Sequence, residues 1–317
     1  MSSEMYEPAI FTNETVNYSD FYAWFKTKLV AAGWENITSK YSSDGDVWHS
    51  KGERGTRDYF FSTFAPNANN GMEVRQYLKY TPGTSGVAGV FEGNPAVAGQ
   101  SMVYNGFSFP VTVAGYGVLP DTTPLLVHFS INKERVIIII TAPEGLFTGT
   151  TSSTSGLLGK SSLWYIGSPE LYSTSLEDAH APKGLIKFGS YVNTPYSTAG
   201  YYPYAQIYRS VGWDTNIGTA SENRFYKLDT STIFRNSNAN ASYPLMDIVA
   251  GGPYEGVFAR IKDVFGLPQT TIGATMNIFD GDLITDGTYT YRVVVVQYSA
   301  YRIYTFDNSC YFAIRVS

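Results

Sequence analysis

Leu125-Leu126-Val127-His128-Phe129-Ser130-Ile131-Asn132-Lys133-Glu134-Arg135-Val136-Ile137-Ile138-Ile139-Ile140-Thr141-Ala142 sets two apolar runs on either side of a polar break. Each run is strand-sized, and Val and Ile are stiff, branched side chains that suit a pleated surface. Asn132-Lys133-Glu134 is short enough to reverse the chain, so the stretch predicts a β-hairpin of residues 125–131 against 135–142. The second arm is continuously apolar from Val136 to Ile140 instead of alternating. That pattern predicts a strand covered on both faces.

Working outward, other short β runs appear on both sides. Residues 46–50 and 58–64 flank Lys51-Gly52-Glu53-Arg54-Gly55, a second hairpin connection. Residues 72–80 alternate Met72, Val74, Gln76, Leu78, Tyr80 against Glu73, Arg75, Tyr77, Lys79, the period of a half-exposed strand. Strand-like segments recur at 163–169, 205–211, 224–228, 256–264, 289–298 and 301–316. Against this background one helix stands out. Phe21, Trp24, Phe25, Lys28 and Leu29 recur at spacings of three and four, Asn17 or Ser19 is placed to cap, and Gly33 to stop. An amphipathic helix this rich in aromatics needs a sheet or a neighbouring subunit to cover it. The expected fold is therefore mainly β, in β-sandwich-like domains with a short N-terminal amphipathic helix.

The chain has 317 residues, above the size at which single cores usually divide. Residues 145–162, GLFTGTTSSTSGLLGKSS, are rich in Gly, Ser and Thr and lack periodicity. They mark the expected boundary between a helix-plus-β domain over 1–150 and a β-rich domain over 151–317 with Tyr/Pro-rich loops.

Composition narrows the function. Charged residues are 15% of the chain against 44% hydrophobic, while Tyr numbers 26 beside 19 Phe and 5 Trp. Ordinary soluble domains carry roughly 25% charge. A surface poor in Lys and Glu and rich in Tyr suits contact with a partner. The net charge of −5 and scattered Lys and Arg argue against a nucleic-acid sheath. No apolar run nears the ~20 residues that span a bilayer, and the N-terminus lacks a signal-peptide pattern. Cys310 is the single cysteine, so no disulfide framework or multi-cysteine zinc site is expected.

Catalytic patterns are sparse. His49, His128 and His180 share no short ligand spacing. No Gly-x-Ser-x-Gly elbow is present, and Ser168 sits between Gly167 and Pro169, which spoils the required turn. The glycines of residues 83–89 precede no Lys-Ser/Thr pair and no helix. Asp44-Gly45-Asp46 and Asp280-Gly281-Asp282 with Asp286-Gly287 gather acids on turns, where Asp-Gly is explained by turn geometry. A calcium loop would need an oxygen ligand at Ile284 and a closing Glu. No cofactor, metal or catalytic residue is expected.

The layout is similar to virion structural proteins of tailed bacteriophages. The segments that carry the resemblance are Leu29-Val30-Ala31-Ala32-Gly33-Trp34, Asp46-Val47-Trp48-His49-Ser50-Lys51-Gly52-Glu53-Arg54-Gly55 and the aromatic-glycine loop around residues 80–86. Others are Ser130-Ile131-Asn132-Lys133-Glu134-Arg135-Val136, Trp164-Tyr165-Ile166-Gly167-Ser168-Pro169, Gly256-Val257-Phe258-Ala259-Arg260-Ile261 and the closing strands. Each motif is short, and residues 170–250 fit least. The resemblance implies a non-enzymatic place in a tail, baseplate or neck assembly, in a virion made in the host bacterial cytoplasm. Its partners would be other copies and other virion proteins. The expected contact anchors are Phe21, Trp24, Phe25, Tyr196, Tyr201, Tyr202, Tyr204 and Tyr208. Two rivals stand beside this reading. A carbohydrate- or receptor-binding module would stack a surface glycan on exposed aromatics. A glycan-cleaving enzyme would converge two carboxylates about 5–10 Å apart.

Overall fold

The computed structural model describes residues 7–38, 45–53, 55, 58–64, 73–77, 79–81, 83, 90–92, 121–141, 161–167, 170–171, 186–189, 204–206, 208–209, 212–213, 224–227, 245–252, 256–267, 281–297 and 309–317. The chain is mainly β. Its strands are β1 (Thr12–Asn17), β2 (Glu35–Asn36), β3 (Asp46–Ser50), β4 (Tyr59–Phe64), β5 (Glu73–Tyr77), β6 (Lys79–Thr81) and β7 (Val90–Glu92). Then come β8 (Pro124–Ile131), β9 (Arg135–Thr141), β10 (Ser161–Gly167), β11 (Glu170–Leu171), β12 (Ile186–Gly189), β13 (Tyr204–Gln206), β14 (Tyr208–Arg209) and β15 (Gly212–Trp213). The last are β16 (Arg224–Lys227), β17 (Met246–Gly252), β18 (Gly256–Gly266), β19 (Leu283–Thr285), β20 (Thr290–Gln297) and β21 (Ser309–Arg315). A 3-10 turn, Tyr18–Asp20, leads into helix α1, Phe21–Ala31.

The hairpin forms as its sequence requires. β8 and β9 pair from Leu126↔Thr141 to Ile131↔Val136. The Asn132 side chain accepts the backbone N–H groups of Glu134 and Arg135, and Asn132 N donates to Arg135 O. Val136 to Ile140 are all buried. Their faces alternate: Val136, Ile138 and Ile140 join the core against α1, with Leu125 and Val127 of β8. That core also takes Phe21, Phe25 and Leu29 from α1 and Trp48, Tyr59 and Phe61 from β3 and β4. On the opposite face Ile137, Ile139 and Tyr165 are buried, and the Tyr165 hydroxyl is hydrogen-bonded by the backbone of Lys262 in β18.

The sheet is long, in the order β1-β8-β9-β10-β12-β13-β16-β17-β18-β21-β20-β19, with β11 against β18. A bridge between Ser161 and Val296 also joins β10 to β20, so the path returns on itself. A four-stranded sheet β2-β3-β4-β5 supplies the layer beside the helix. The alternating run over 72–80 is two strands instead of one: β5 pairs with β4, whereas β6 pairs with β7. Alternation sets the period of a strand but not its partner.

The expected boundary at 145–162 falls between β9 and β10, which are neighbours in one sheet. β9 and β10, which bracket it, pair from Thr141↔Ser161 to Arg135↔Gly167. Trp164 and Ile166 lie in the same core as Phe21 and Val127. The Gly/Ser/Thr-rich segment thus connects neighbouring strands; weak periodicity marks a loop and says nothing of whether the sheet continues across it. A further core, Leu267, Ile284, Tyr291, Val293 and Ala313, is built by the C-terminal strands.

Candidate functional site

α1 begins without the expected side-chain cap. Asp20 is the N-cap with no cap hydrogen bond, and neither Asn17 nor Ser19 supplies one. The segment before β8 serves instead: Tyr18 N donates to Thr123 O and Ser19 N to Asp121 O. The C-terminal end closes as expected, with Gly33 N donating to Val30 O and Trp34 N to Leu29 O.

This helix carries three of the expected contact anchors, and two of them need correction. Phe21 and Phe25 are wholly buried within the chain. Phe21 meets Trp164 edge-on at 5.7 Å and lies parallel to Phe25 at 6.4 Å. Their apolar area is covered by the chain's own sheet, so they are core residues and not contact anchors. Trp24 is half-buried: its ring packs edge-on against Phe129 at 5.1 Å, and its Nε1 donates to Glu14 Oε2 at 2.6 Å. Tyr204 and Tyr208 open β13 and β14. Tyr196, Tyr201 and Tyr202 lie outside the described residues.

Polar clusters surround the helix. Lys28 Nζ sits 2.6 Å from Glu14 Oε1, and this bond, with that from Trp24, holds the Glu14 carboxyl below its ordinary range. Asp46 accepts from Tyr22 Oη at 2.8 Å and Asn36 Nδ2 at 3.0 Å, and pairs with Lys26 at 3.3 Å. Burial works to raise its pKa, but these donors outweigh it and the net direction is down. Both clusters tie α1 to strands, β1 in one case and β3 in the other.

The histidines take different environments. His49 stacks on Phe60 at 4.7 Å, with Nε2 2.7 Å from Asp58 Oδ1 and Nδ1 3.8 Å from Glu35 Oε2. Asp58 is thus the hydrogen-bond partner of one ring nitrogen, while Glu35 stands beyond hydrogen-bonding distance of the other. His128 is 3% exposed, and among the described residues neither ring nitrogen has a hydrogen-bond partner. Burial, helped by the Arg292 charge, pushes its pKa down to about 4. His180 lies outside the described residues.

Asp286 confirms the turn reading of Asp-Gly. Its carboxylate accepts from Thr288 N, Tyr289 N and Tyr291 Oη at 2.8 to 2.9 Å. Burial would raise its pKa, yet these donors hold it below the usual carboxylate range. Asp44 and Asp280 fall outside the described residues. Among the described residues, no group of three or more His, Cys, Asp or Glu is placed to hold a metal ion. No helix of the described residues is long and apolar enough to cross a membrane.

One polar cluster had no signal in the sequence. Arg135 Nη1 of β9 lies 2.7 Å from Asp263 Oδ2 of β18, beside the buried Tyr165. Burial raises the Tyr165 pKa, with the Arg135 charge acting in the opposite direction. The partners are far apart in the chain, so only the fold brings them together. No protein-family model matches this chain, and no curated protein is significantly similar to it.

Proposed function

We propose that this chain is a non-enzymatic architectural subunit of a bacteriophage particle, in a tail, baseplate or neck assembly, and that it works through subunit contacts. The observation that carries the reading is a charge fraction of 15% combined with 26 tyrosines. Residues 191–208 hold Tyr191, Tyr196, Tyr201, Tyr202, Tyr204 and Tyr208. Tyr-rich, charge-depleted surface is the composition of interface centres. With Phe21 and Phe25 used in the core, Trp24 and the tyrosine-rich stretch remain as sources of contact anchors. The phage assignment itself rests on the resemblance of the short segments quoted above.

The test is molar mass by light scattering during size exclusion, over a hundredfold range of concentration. A discrete oligomer, or mass growing with concentration, is expected, with closed rings or tubes in negative-stain images. A 35.0 kDa species at every concentration that binds a sugar in a glycan screen overturns the reading in favour of the carbohydrate-binding rival.

A further inference from the structure

We infer that Arg292 of β20 and His128 of β8 form a binding site for a small oxyanion of the carboxylate, sulfate or phosphate class. The site goes beyond the subunit contacts proposed above and does not depend on them. His128 lies on the face of β8 opposite Leu125 and Val127, which belong to the helix-side core. Arg292 lies on the face of β20 opposite Tyr291 and Val293, which belong to the C-terminal core. Each side chain is therefore turned away from the core its own strand helps to build. The Arg292 charge acts on the His128 ring, so the two groups are neighbours across the layers.

Among the described residues neither group meets an acceptor. The His128 ring is buried with both nitrogens unpartnered, and the half-buried Arg292 has no hydrogen-bond or ion-pair partner. The ladders explain why. Arg292 is registered with Leu283 on one side and Ile314 on the other, and His128 with Asn13 and Ile139. No carboxylate stands at any of these four positions. Buried donors are ordinarily satisfied, and a charge withdrawn from water is ordinarily paired. Three other arginines follow that rule: Arg135 pairs with Asp263, Arg260 with Glu170 and Asp247, and Arg315 with Glu7.

A glycine sets the place of the guanidinium. Gly281 has a φ of 91°, its N–H donates to Val293 O, and a Cβ there would lie 3.0 Å from Arg292 Nη2. The bare backbone leaves room for the guanidinium where a side chain would crowd it. The fork of N–H groups on a guanidinium matches two oxygens of one oxyanion. Burial lowers the His128 pKa, so at pH 7 its ring is neutral and offers one N–H. The exposed Asn13 amide, directly across the ladder from His128, stands on the solvent side of the pair. An oxyanion suits these donors better than water does, because it also supplies the negative charge that Arg292 lacks.

The experiment titrates the full chain, isotope-labelled in its histidines, with sodium sulfate at pH 7, while sodium chloride holds the ionic strength constant. The chain has three histidines, and His128→Gln identifies the ring signal of His128 in the NMR spectrum. That signal should shift saturably with sulfate, while the signals of His49 and His180 stay in place. Arg292→Met, which keeps an apolar stem, should raise the sulfate midpoint about tenfold or more, the loss expected for a hydrogen bond to a charged group. Where that variant fails to keep its β circular-dichroism signal, Arg292→Lys takes its place. It keeps the charge without the fork and should raise the midpoint about threefold or more. The same midpoint in parent and variant means an adventitious ion only and overturns the inference. A His128 signal that never shifts saturably with sulfate overturns it as well.

Discussion

His128 shows how a single residue can govern the acid response of this fold. Its ring is buried with no hydrogen-bond partner among the described residues, and burial lowers its folded pKa to about 4 from 6.5. Below pH 6.5 the unfolded chain takes up a proton that the folded chain refuses. The stabilisation is therefore complete above pH 6.5 and is lost as pH falls toward 4, a change of at most about 3 kcal/mol. Urea denaturation at pH 7 and pH 4.5 should show this loss, and His128→Leu should remove the part of it between those values. Gly33 is a second decisive residue. Its φ is 91°, and a Cβ there would lie 2.7 Å from Lys133 Cε. Gly33→Ala should lower stability by about 1–2 kcal/mol in the same assay, because both the backbone and the Lys133 stem must shift.

At the scale of the element, the β8–β9 hairpin owes its geometry to more than its apolar arms. Its turn is gripped from the layer beside it: Trp34 Nε1 donates to Asn132 O, and Ser50 Oγ to Lys133 O. Lys133 N donates to Glu53 Oε1, which ties in the connection between β3 and β4. Asn132→Ala would strip two backbone N–H groups of their acceptor. It should cost about 1–3 kcal/mol, read as a lowered urea midpoint at unchanged m-value. The existence and type of this hairpin were legible because continuous branched residues flank a polar break. The helix was legible from its spacing, and so was its glycine stop. Its start was not, because the backbone groups that satisfy Tyr18 and Ser19 come from Asp121 and Thr123, a hundred positions away.

For the whole molecule, the burial of Phe21 and Phe25 separates folding from assembly. Phe25→Ala should cost about 3–5 kcal/mol and lower the thermal midpoint equally at every protein concentration, as a core cavity does. An interface anchor would instead give a midpoint that depends on concentration. Differential scanning calorimetry across a concentration series distinguishes the two. Sheet continuity is likewise a property of the whole: β9 pairs with β10 across the segment that resembles a domain linker. An unpatterned stretch of Gly, Ser and Thr adds little loop-closure cost as it lengthens, so neighbouring strands can be joined through it.

Residue spacing alone is enough to read this chain as mainly β, to place its central hairpin and helix, and to assign Asp286-Gly287 to a turn. Those features follow from local spacing and backbone preference, which act over a few residues. That Phe21 and Phe25 of the helix are covered by the chain's own strands follows from long-range packing. The same packing brings Arg135 to Asp263 and Phe11 N to Arg315 O. Each of these contacts joins residues more than a hundred positions apart, where periodicity carries no information and the packing of layers selects the partner.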